Sequence, residues 1–203
     1  MNEEEKIEKL RNKCHDNSFH SYGKAYIHEQ RCRKYGMYIN LLTTLGIIVP
    51  VTVGATVLGY GIQNTSLKLM ISIAIPTSII QLIFSLISVV YKWSDELSYS
   101  NESAQEHYFL SERFKKLGEF PPGSFNQLNF EFELINTRLK SRKEQDSKHS
   151  FKDWELRKGM RYSLRENQKQ CIECKSIPTS MENTECNVCG KFSFKYKLIS
   201  IIK

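Results

Sequence analysis

The sequence has few of the features on which enzyme chemistry depends. Its five histidines show neither metal-ligand nor catalytic spacing; they are His15, His20, His28, His107 and His149. No nucleophile stands beside an evident base, and a glycine-rich phosphate loop and an RNA-binding aromatic motif are also absent. With 203 residues, the chain has no room for a large catalytic domain beside its apolar segments. We therefore expect a protein that is not an enzyme.

No secretory signal peptide is expected either. The N-terminus is acidic at Glu3, Glu4 and Glu5, and no positively charged stretch followed by an apolar core precedes Met37. The apolar segments that follow should therefore be retained in the mature chain.

Charge is missing from two long apolar runs, Tyr38 to Gly61 and Leu69 to Tyr91. A helix rises about 1.5 Å per residue, so roughly 20 apolar residues cross the hydrocarbon core of a bilayer. The mean hydropathy of −0.42 hides these runs because it averages them with polar ends. The sequence thus predicts a mainly α membrane protein, with a two-span transmembrane helical hairpin and cytosolic helical extensions.

Flanking charges predict the orientation of the hairpin. The connector 62–66 carries no charge, whereas Arg31, Arg33 and Lys34 precede the first span and Lys92 follows the second. Lys68 is the one basic residue at the far end. By the positive-inside rule, both termini should lie in the cytoplasm.

A stripe of small and polar residues follows one face of the second span. Successive spacings of four and three residues place its members together: Ala74, Ser78, Gln81, Ser85, Ser88 and Lys92. Such side chains are costly against lipid, so this face should meet protein or water. Two interpretations stay open, namely helix packing and a water-filled path between subunits of a homo-oligomer.

Helical periodicity continues outside the spans. Residues 3–35 fit one kinked helix or two helices, and the second span should run on unbroken to Gly118, because no Gly or Pro intervenes after Pro76. Ser124 and Gln127 then fit a capping box. The helix that follows should pack through an apolar seam of Phe125, Leu128, Phe132, Ile135 and Leu139.

Four of the six cysteines form two close pairs, C-x2-C, eleven residues, C-x2-C, at Cys171, Cys174, Cys186 and Cys189. This arrangement is typical of one tetrahedral, structural zinc ion, and Gly190 supplies the permissive backbone of the second turn. A redox dithiol is the competing interpretation. The run Phe192–Leu198 predicts a strand of a small zinc ribbon. Cys14 and Cys32 should be buried or idle thiols.

Basic charge is concentrated between Arg138 and Lys169, where eleven Lys or Arg face five Asp or Glu. Candidate anion-contacting residues there are Arg157, Lys158, Arg161 and Arg165. Anionic lipid, a phosphate-bearing ligand and nucleic acid are possible partners, although no nucleic-acid motif accompanies the charge. A solvated basic linker is the other interpretation.

The span layout, the segment Lys158–Ser163 and the four cysteines together resemble the SLATT superfamily of prokaryotic two-span membrane proteins. Within it, the cysteine spacing is similar to a mobile-element branch, the mobilome CxxCx(11)CxxC proteins. The resemblance implies a membrane effector of an anti-phage or mobile-element conflict system in the bacterial inner membrane. Such an effector would oligomerise and permeabilise the membrane when a nucleotide signal or a sensor protein acts on it.

A membrane-tethered zinc-ribbon adaptor, binding a partner protein or nucleic acid, is the alternative function. Either function fits the same predicted division of the chain: an N-terminal helical segment, the transmembrane hairpin, a cytosolic helical hairpin, a basic linker with a short helix, and the zinc ribbon. These are residues 1–36, 37–93, 94–145, 146–170 and 171–203.

Overall fold

The computed structural model describes residues 2–60 and 65–193, without the side chains of 60 and 65–67. This part of the chain is helical and contains no β-strand, and most of the predicted strand, 194–198, lies outside it. The elements are α1 (Glu3–Tyr60), α2 (Thr65–Val90), α3 (Trp93–Glu119), α4 (Phe125–Asp146), a 3-10 turn (Ser147–His149) and α5 (Asp153–Glu166). They form two compact units, one of residues 1–30 and 101–203 and one of residues 31–100.

The question of one helix or two at the N-terminus is answered by α1, which runs from Glu3 to Tyr60 as one element. The weak stretch around Ser18 is tied to α3, because the Ser18 hydroxyl donates to the Ser111 carbonyl oxygen at 2.9 Å and the Ser111 hydroxyl donates back to the Ser18 carbonyl oxygen. Both serines are buried. Tertiary hydrogen bonds thus stabilise the helical conformation of a segment that has little apolar periodicity of its own.

The prediction of an unbroken helix from the second span to Gly118 is wrong. α2 ends at Val90 and α3 begins at Trp93. Between them Lys92 has a φ of 50°, and its N–H donates to the Val89 carbonyl oxygen, three residues back, at 3.1 Å. The α-helical hydrogen-bond pattern thus ends at a left-handed lysine, without the glycine or proline that usually marks such an end in a sequence. Lys92 therefore lies beyond α2 and does not extend the stripe on that helix.

The core of the first unit confirms the apolar seam of α4. Leu128, Phe132, Ile135 and Leu139 are buried, with Phe125 half-buried at the edge. They pack on residues of α1 and α3, namely Leu10, Cys14, Leu110, Phe114 and Leu117. Burial raises the pKa of Cys14 to about 11, as expected for an idle buried thiol.

The start of α4 carries half of the predicted capping box. The Ser124 hydroxyl accepts a hydrogen bond from the Gln127 N–H at 3.4 Å. The Gln127 side chain, however, donates to Glu131 instead of returning to Ser124. One orphan amide of the helix is thus satisfied by its cap.

Helix α5 docks on α1 where two glycines meet. A Cβ at Gly159 would lie 2.8 Å from the carbonyl oxygen of Gly23, and a Cβ at Gly23 would lie 2.9 Å from the Ser163 hydroxyl. That hydroxyl donates to the Phe19 carbonyl oxygen at 2.9 Å. The two backbones can approach this closely only because both positions lack a side chain.

The second unit holds the remainder of α1, α2 and the start of α3. Within it the ring of Tyr38 lies 5.1 Å from that of Trp93, and the Gln81 side chain donates to the Leu42 carbonyl oxygen at 3.4 Å. α1 and α2 are each long and apolar enough to cross a membrane, and their apolar windows are not buried inside the protein. Large aliphatic side chains are therefore exposed along both helices.

Candidate metal centre

Two backbone turns of the same design hold the four cysteines of the C-terminal motif. In the first, the Lys175 N–H donates to the Cys171 carbonyl oxygen at 2.9 Å; in the second, the Gly190 N–H donates to the Cys186 carbonyl oxygen at 3.0 Å. The donor Lys175 itself lies in the left-handed region, at φ 56°, and in the second turn Lys191, one residue after the donor Gly190, does so at φ 54°. The C-x2-C spacing thus folds into two similar knuckles whose sulfurs converge.

The sulfur positions fit one tetrahedral ion. The Cys171 and Cys186 sulfurs lie 3.8 Å apart, the Cys174 and Cys189 sulfurs 3.7 Å apart, and all four lie within 4.8 Å of one another. With Zn–S bonds of about 2.3 Å, the edge of an S4 tetrahedron is about 3.8 Å. A disulfide would need a separation of about 2.05 Å. The cluster therefore fits a zinc-binding site, and four sulfurs leave no open position for a reacting water.

Gly190 is required by close approach. A Cβ there would overlap the Thr184 carbonyl oxygen and would lie 2.8 Å from the Cys186 carbonyl oxygen. The Lys191 N–H donates to the same Thr184 oxygen at 2.7 Å. Any side chain at position 190 would push the second knuckle away from the segment that closes it.

Arg161 of α5 reaches into the module from outside the motif. It is 7% exposed, and its Nε donates to the Ser180 carbonyl oxygen at 2.8 Å, with one terminal nitrogen 3.4 Å from the Cys189 carbonyl oxygen and 4.0 Å from the Cys189 sulfur. A zinc ion with four thiolates carries a net charge of about −2, which a nearby guanidinium offsets. The buried guanidinium of this predicted anion-contacting residue thus faces the cysteine sulfurs.

Glu173, between the first two cysteines, links the knuckles. Its carboxylate accepts hydrogen bonds from the Cys186 thiol and the Asn187 amide, at 2.9 and 2.6 Å, and from the Val188 N–H at 2.9 Å. These bonds lower the pKa of Glu173 to about 2. The sequence spacing gave no indication of this role, since a lone glutamate inside C-x2-C has no motif value.

The thiols differ in acidity. Hydrogen bonding to Ser176 lowers the pKa of Cys174 to about 6, whereas burial raises the pKa of Cys189 and of Cys186. Hydrogen bonding and burial thus shift the pKa in opposite directions for sulfurs of the same cluster.

The other basic candidates of α5 are also engaged locally. The Arg157 guanidinium lies 3.4 Å from the Lys191 carbonyl oxygen, and the Lys158 ammonium lies 3.1 Å from the Gln30 side-chain oxygen. Arg165 pairs with Glu166 and lies 5.4 Å from the Tyr162 ring centre. Contact of this segment with anions stays a prediction.

The polar stripe on α2 is divided between interior and surface. Gln81 faces α1, since its amide nitrogen lies 3.4 Å from the Leu42 carbonyl oxygen and would be 2.7 Å from a Cβ at Gly46. Ser88 is half-buried, and Ser78 and Ser85 are exposed. Packing thus accounts for Gln81, while the role of the serines stays a prediction.

A buried charge cluster joins α1, α3 and α4, and sequence spacing missed it. The His107 Nε2 lies 2.7 Å and the His28 Nε2 3.6 Å from the oxygens of Asp146. Arg142 bonds the same carboxylate at 3.2 Å and Glu102 at 3.0 Å. The two imidazoles and the carboxylate lie within 4.8 Å of one another, a spacing that suits a metal. The guanidinium on the same carboxylate opposes a second cation there, so we interpret the cluster as a structural ion-pair network.

The fold and site together define a helical protein with two membrane-compatible helices and a four-cysteine zinc module. Residues 11–192 match the family model described as "Mobilome CxxCx(11)CxxC protein". This chain therefore belongs to that family, and the mobile-element resemblance is confirmed at this level. Neither the curated proteins nor the solved structures gave a match.

Proposed function

We propose that this protein is a non-catalytic membrane effector of a mobile-element conflict system, whose subunits assemble in the bacterial inner membrane and permeabilise it on an upstream signal. The family assignment supports the mobile-element setting. The SLATT relationship, the membrane topology and the pore are parts of this proposal. The observation that carries it is the pair of serines on one face of α2, Ser78 and Ser85, whose side chains are exposed on a largely apolar helix.

The residues that form the core of the first unit support the proposed membrane topology. That core combines Leu10 and Cys14, which precede the two apolar runs, with Leu110, Phe114 and Leu128, which follow them. Residues that share one core must lie on one side of a membrane, so the chain between them crosses an even number of times. Four thiols that are not paired as disulfides suit the reducing cytoplasm. These features support a two-span hairpin with both flanks in the cytoplasm.

The exposed serines support assembly. Ser78 and Ser85 are seven residues apart, two helical turns, and therefore lie on the same face of α2. A hydroxyl at membrane depth is more stable against a protein or water partner than against lipid, by about 1 kcal/mol. Neighbouring subunits that bring these faces together would enclose a path with polar walls.

The test is membrane potential, read with a voltage-sensitive dye after induced expression in bacteria. We expect the intact chain to depolarise the cells and the double variant Ser78→Leu, Ser85→Leu to fail at matched membrane levels. Ser72→Leu is the control, because Ser72 is also exposed but lies on another face, with its hydroxyl bonded to the Lys68 and Leu69 carbonyl oxygens. Depolarisation that survives in the double variant would contradict the pore-face assignment.

A tethered adaptor is the second candidate, and the zinc module offers one observation in its favour. Ile172 and Ile177 flank Cys174 and are 77% and 39% exposed. Exposed aliphatic side chains beside a rigid metal module are suited to binding a partner protein. If the protein is an adaptor, we expect Ile172→Ser to abolish its cellular phenotype. The double variant Ser78→Leu, Ser85→Leu should leave that phenotype intact.

A further inference from the structure

A cavity of about 400 Å³ lies inside the first unit, where α1, α4 and α5 meet. Cavities of roughly 300–1,000 Å³ accommodate small-molecule ligands. Its lining contains none of the four cysteines, although Phe19 and Met160 of the lining also pack against the buried Cys171 and Cys189. The basic or titratable side chains of the lining are His20, Lys24 and Lys143.

The positive charge at this cavity is largely uncompensated. Lys24 and Lys143 line it, and the pKa of His20 is lowered by burial and further by the charges of Lys24, Lys143 and Lys169. Among residues 2–60 and 65–193, none of the three lysines forms a salt bridge with a carboxylate. Asp16 raises the pKa of His20 and Asp146 that of Lys24, but the Asp146 oxygens are already bonded to His107 and Arg142.

The half-buried Lys24 makes this charge costly. Burial is the largest cause that lowers its pKa, and Lys143 lowers it further. Lysines from separate elements of the fold therefore converge at a partly desolvated site. An anion held between them would relieve the repulsion through charge-assisted hydrogen bonds.

Apolar side chains complete the lining. They are Ile27, Leu139, Leu156, Met160 and Phe19, and the Lys169 ammonium lies 5.3 Å from the Phe19 ring centre. A free inorganic anion would leave these apolar side chains uncovered. A ligand with an anionic group joined to an apolar body would contact both kinds of side chain.

We propose that this cavity binds a small organic phosphate, with the phosphate between Lys24 and Lys143 and the apolar moiety against Leu156 and Met160. A water-soluble nucleotide and a phospholipid headgroup with its attached glycerol share this chemistry. The cavity also borders Gly159 and Ser163, through which α5 docks on α1. Helix α5 also positions Arg161 against the zinc module. A ligand in the cavity would therefore stabilise the docking of α5 and of the zinc module on α1. The site does not depend on the proposed membrane role.

The test is lysine footprinting of the full chain in phosphatidylcholine nanodiscs, with an amine-acylating reagent and mass spectrometry. The probes are AMP, pyrophosphate and phosphatidic acid built into the nanodisc. We expect AMP to slow acylation of Lys24 and Lys143 about tenfold or more. A hydrogen bond to a charged group raises the affinity for a ligand by about tenfold or more, so AMP should occupy the site and cover both amines. Lys140, exposed on the same helix as Lys143, is the internal control.

The concentration of pyrophosphate that gives the same protection should be about tenfold higher than that of AMP, since pyrophosphate lacks an apolar body. Lys24→Gln should remove AMP protection at Lys143, and Lys143→Gln, a change at an exposed position, should remove it at Lys24. Protection by phosphatidic acid in place of AMP would identify a lipid headgroup as the ligand source. Protection by no probe, or equal protection of Lys140, would overturn the proposal.

Discussion

The two units of the chain place their apolar side chains in opposite ways. In the first, Leu110, Phe114 and Leu128 are completely buried, while in the second Leu58 and Val89 are 90% and 73% exposed. The first unit also buries charged residues that pair with one another, such as Asp146 between His107 and Arg142. The proposed membrane hairpin accounts for this contrast, because it places water around the first unit and hydrocarbon around the second.

Removal of a zinc ligand should have the largest effect on the first unit. Structural zinc contributes roughly 10–16 kcal/mol of folding free energy in small domains, because the site forms only on folding. We expect Cys189→Ser to reduce bound zinc from one ion per chain to almost none and to unfold residues 171–193. Elemental analysis and amide hydrogen exchange would measure this change.

Cys32→Ser is the matched control, since Cys32 lies in the second unit with its sulfur 3.8 Å from the Leu97 carbonyl oxygen. It should keep the zinc. Full zinc content in the Cys189 variant would show that the four sulfurs do not share an ion.

Truncation of a core side chain should have the next largest effect, and its cost in unfolding free energy should differ between the two units. Phe114→Ala should lower the free energy of unfolding of the first unit by about 3–5 kcal/mol, because Phe114 has no exposed surface. Leu86→Ala in the second unit, where Leu86 is 60% exposed, should cost far less in the same nanodiscs. Hydrogen exchange resolved by residue measures each unit separately. Equal losses would contradict the idea of two surroundings.

A methyl group at the α1–α5 contact should have a smaller effect. Gly159→Ala places a Cβ 2.8 Å from the Gly23 carbonyl oxygen, and overpacking of this kind costs about 1–3 kcal/mol. The expected result is faster hydrogen exchange of the α5 amides, with the exchange rates of the α4 amides unchanged. Gly123→Ala is the control, since a Cβ there meets nothing within 4 Å. Unchanged exchange in α5 would mean that the helix does not pack there.

Loss of the guanidinium beside the cysteines should weaken zinc binding without unfolding the unit. Arg161→Gln should lower zinc affinity about 10–100-fold, the usual effect of removing a residue that orients metal ligands. Competition with a chromogenic chelator would measure the affinity. Arg157→Gln should change it much less, because Arg157 contacts the module only through the Lys191 carbonyl oxygen. An unchanged affinity in the Arg161 variant would remove its proposed electrostatic role.

Local spacing determined which features the sequence could predict. The two C-x2-C pairs and the α4 seam are each encoded by short intervals within one segment, and both were identified correctly. The cluster of His28, His107 and Asp146 is encoded by the packing of three helices, so no interval reveals it. The left-handed Lys92 was missed for a related reason, since lysine has no preference that marks a helix end.

The most direct test of the central claim is the side of the membrane on which each region lies. A membrane-impermeant maleimide would be applied to intact bacteria with their outer membrane permeabilised, expressing either the natural chain or Asn64→Cys. We predict labelling of the Asn64→Cys chain alone, with Cys14 and the zinc cysteines reached only after lysis in denaturant with a zinc chelator. Labelling of the natural chain in intact cells, or no labelling of the position 64 variant, would contradict a two-span hairpin with both flanks in the cytoplasm.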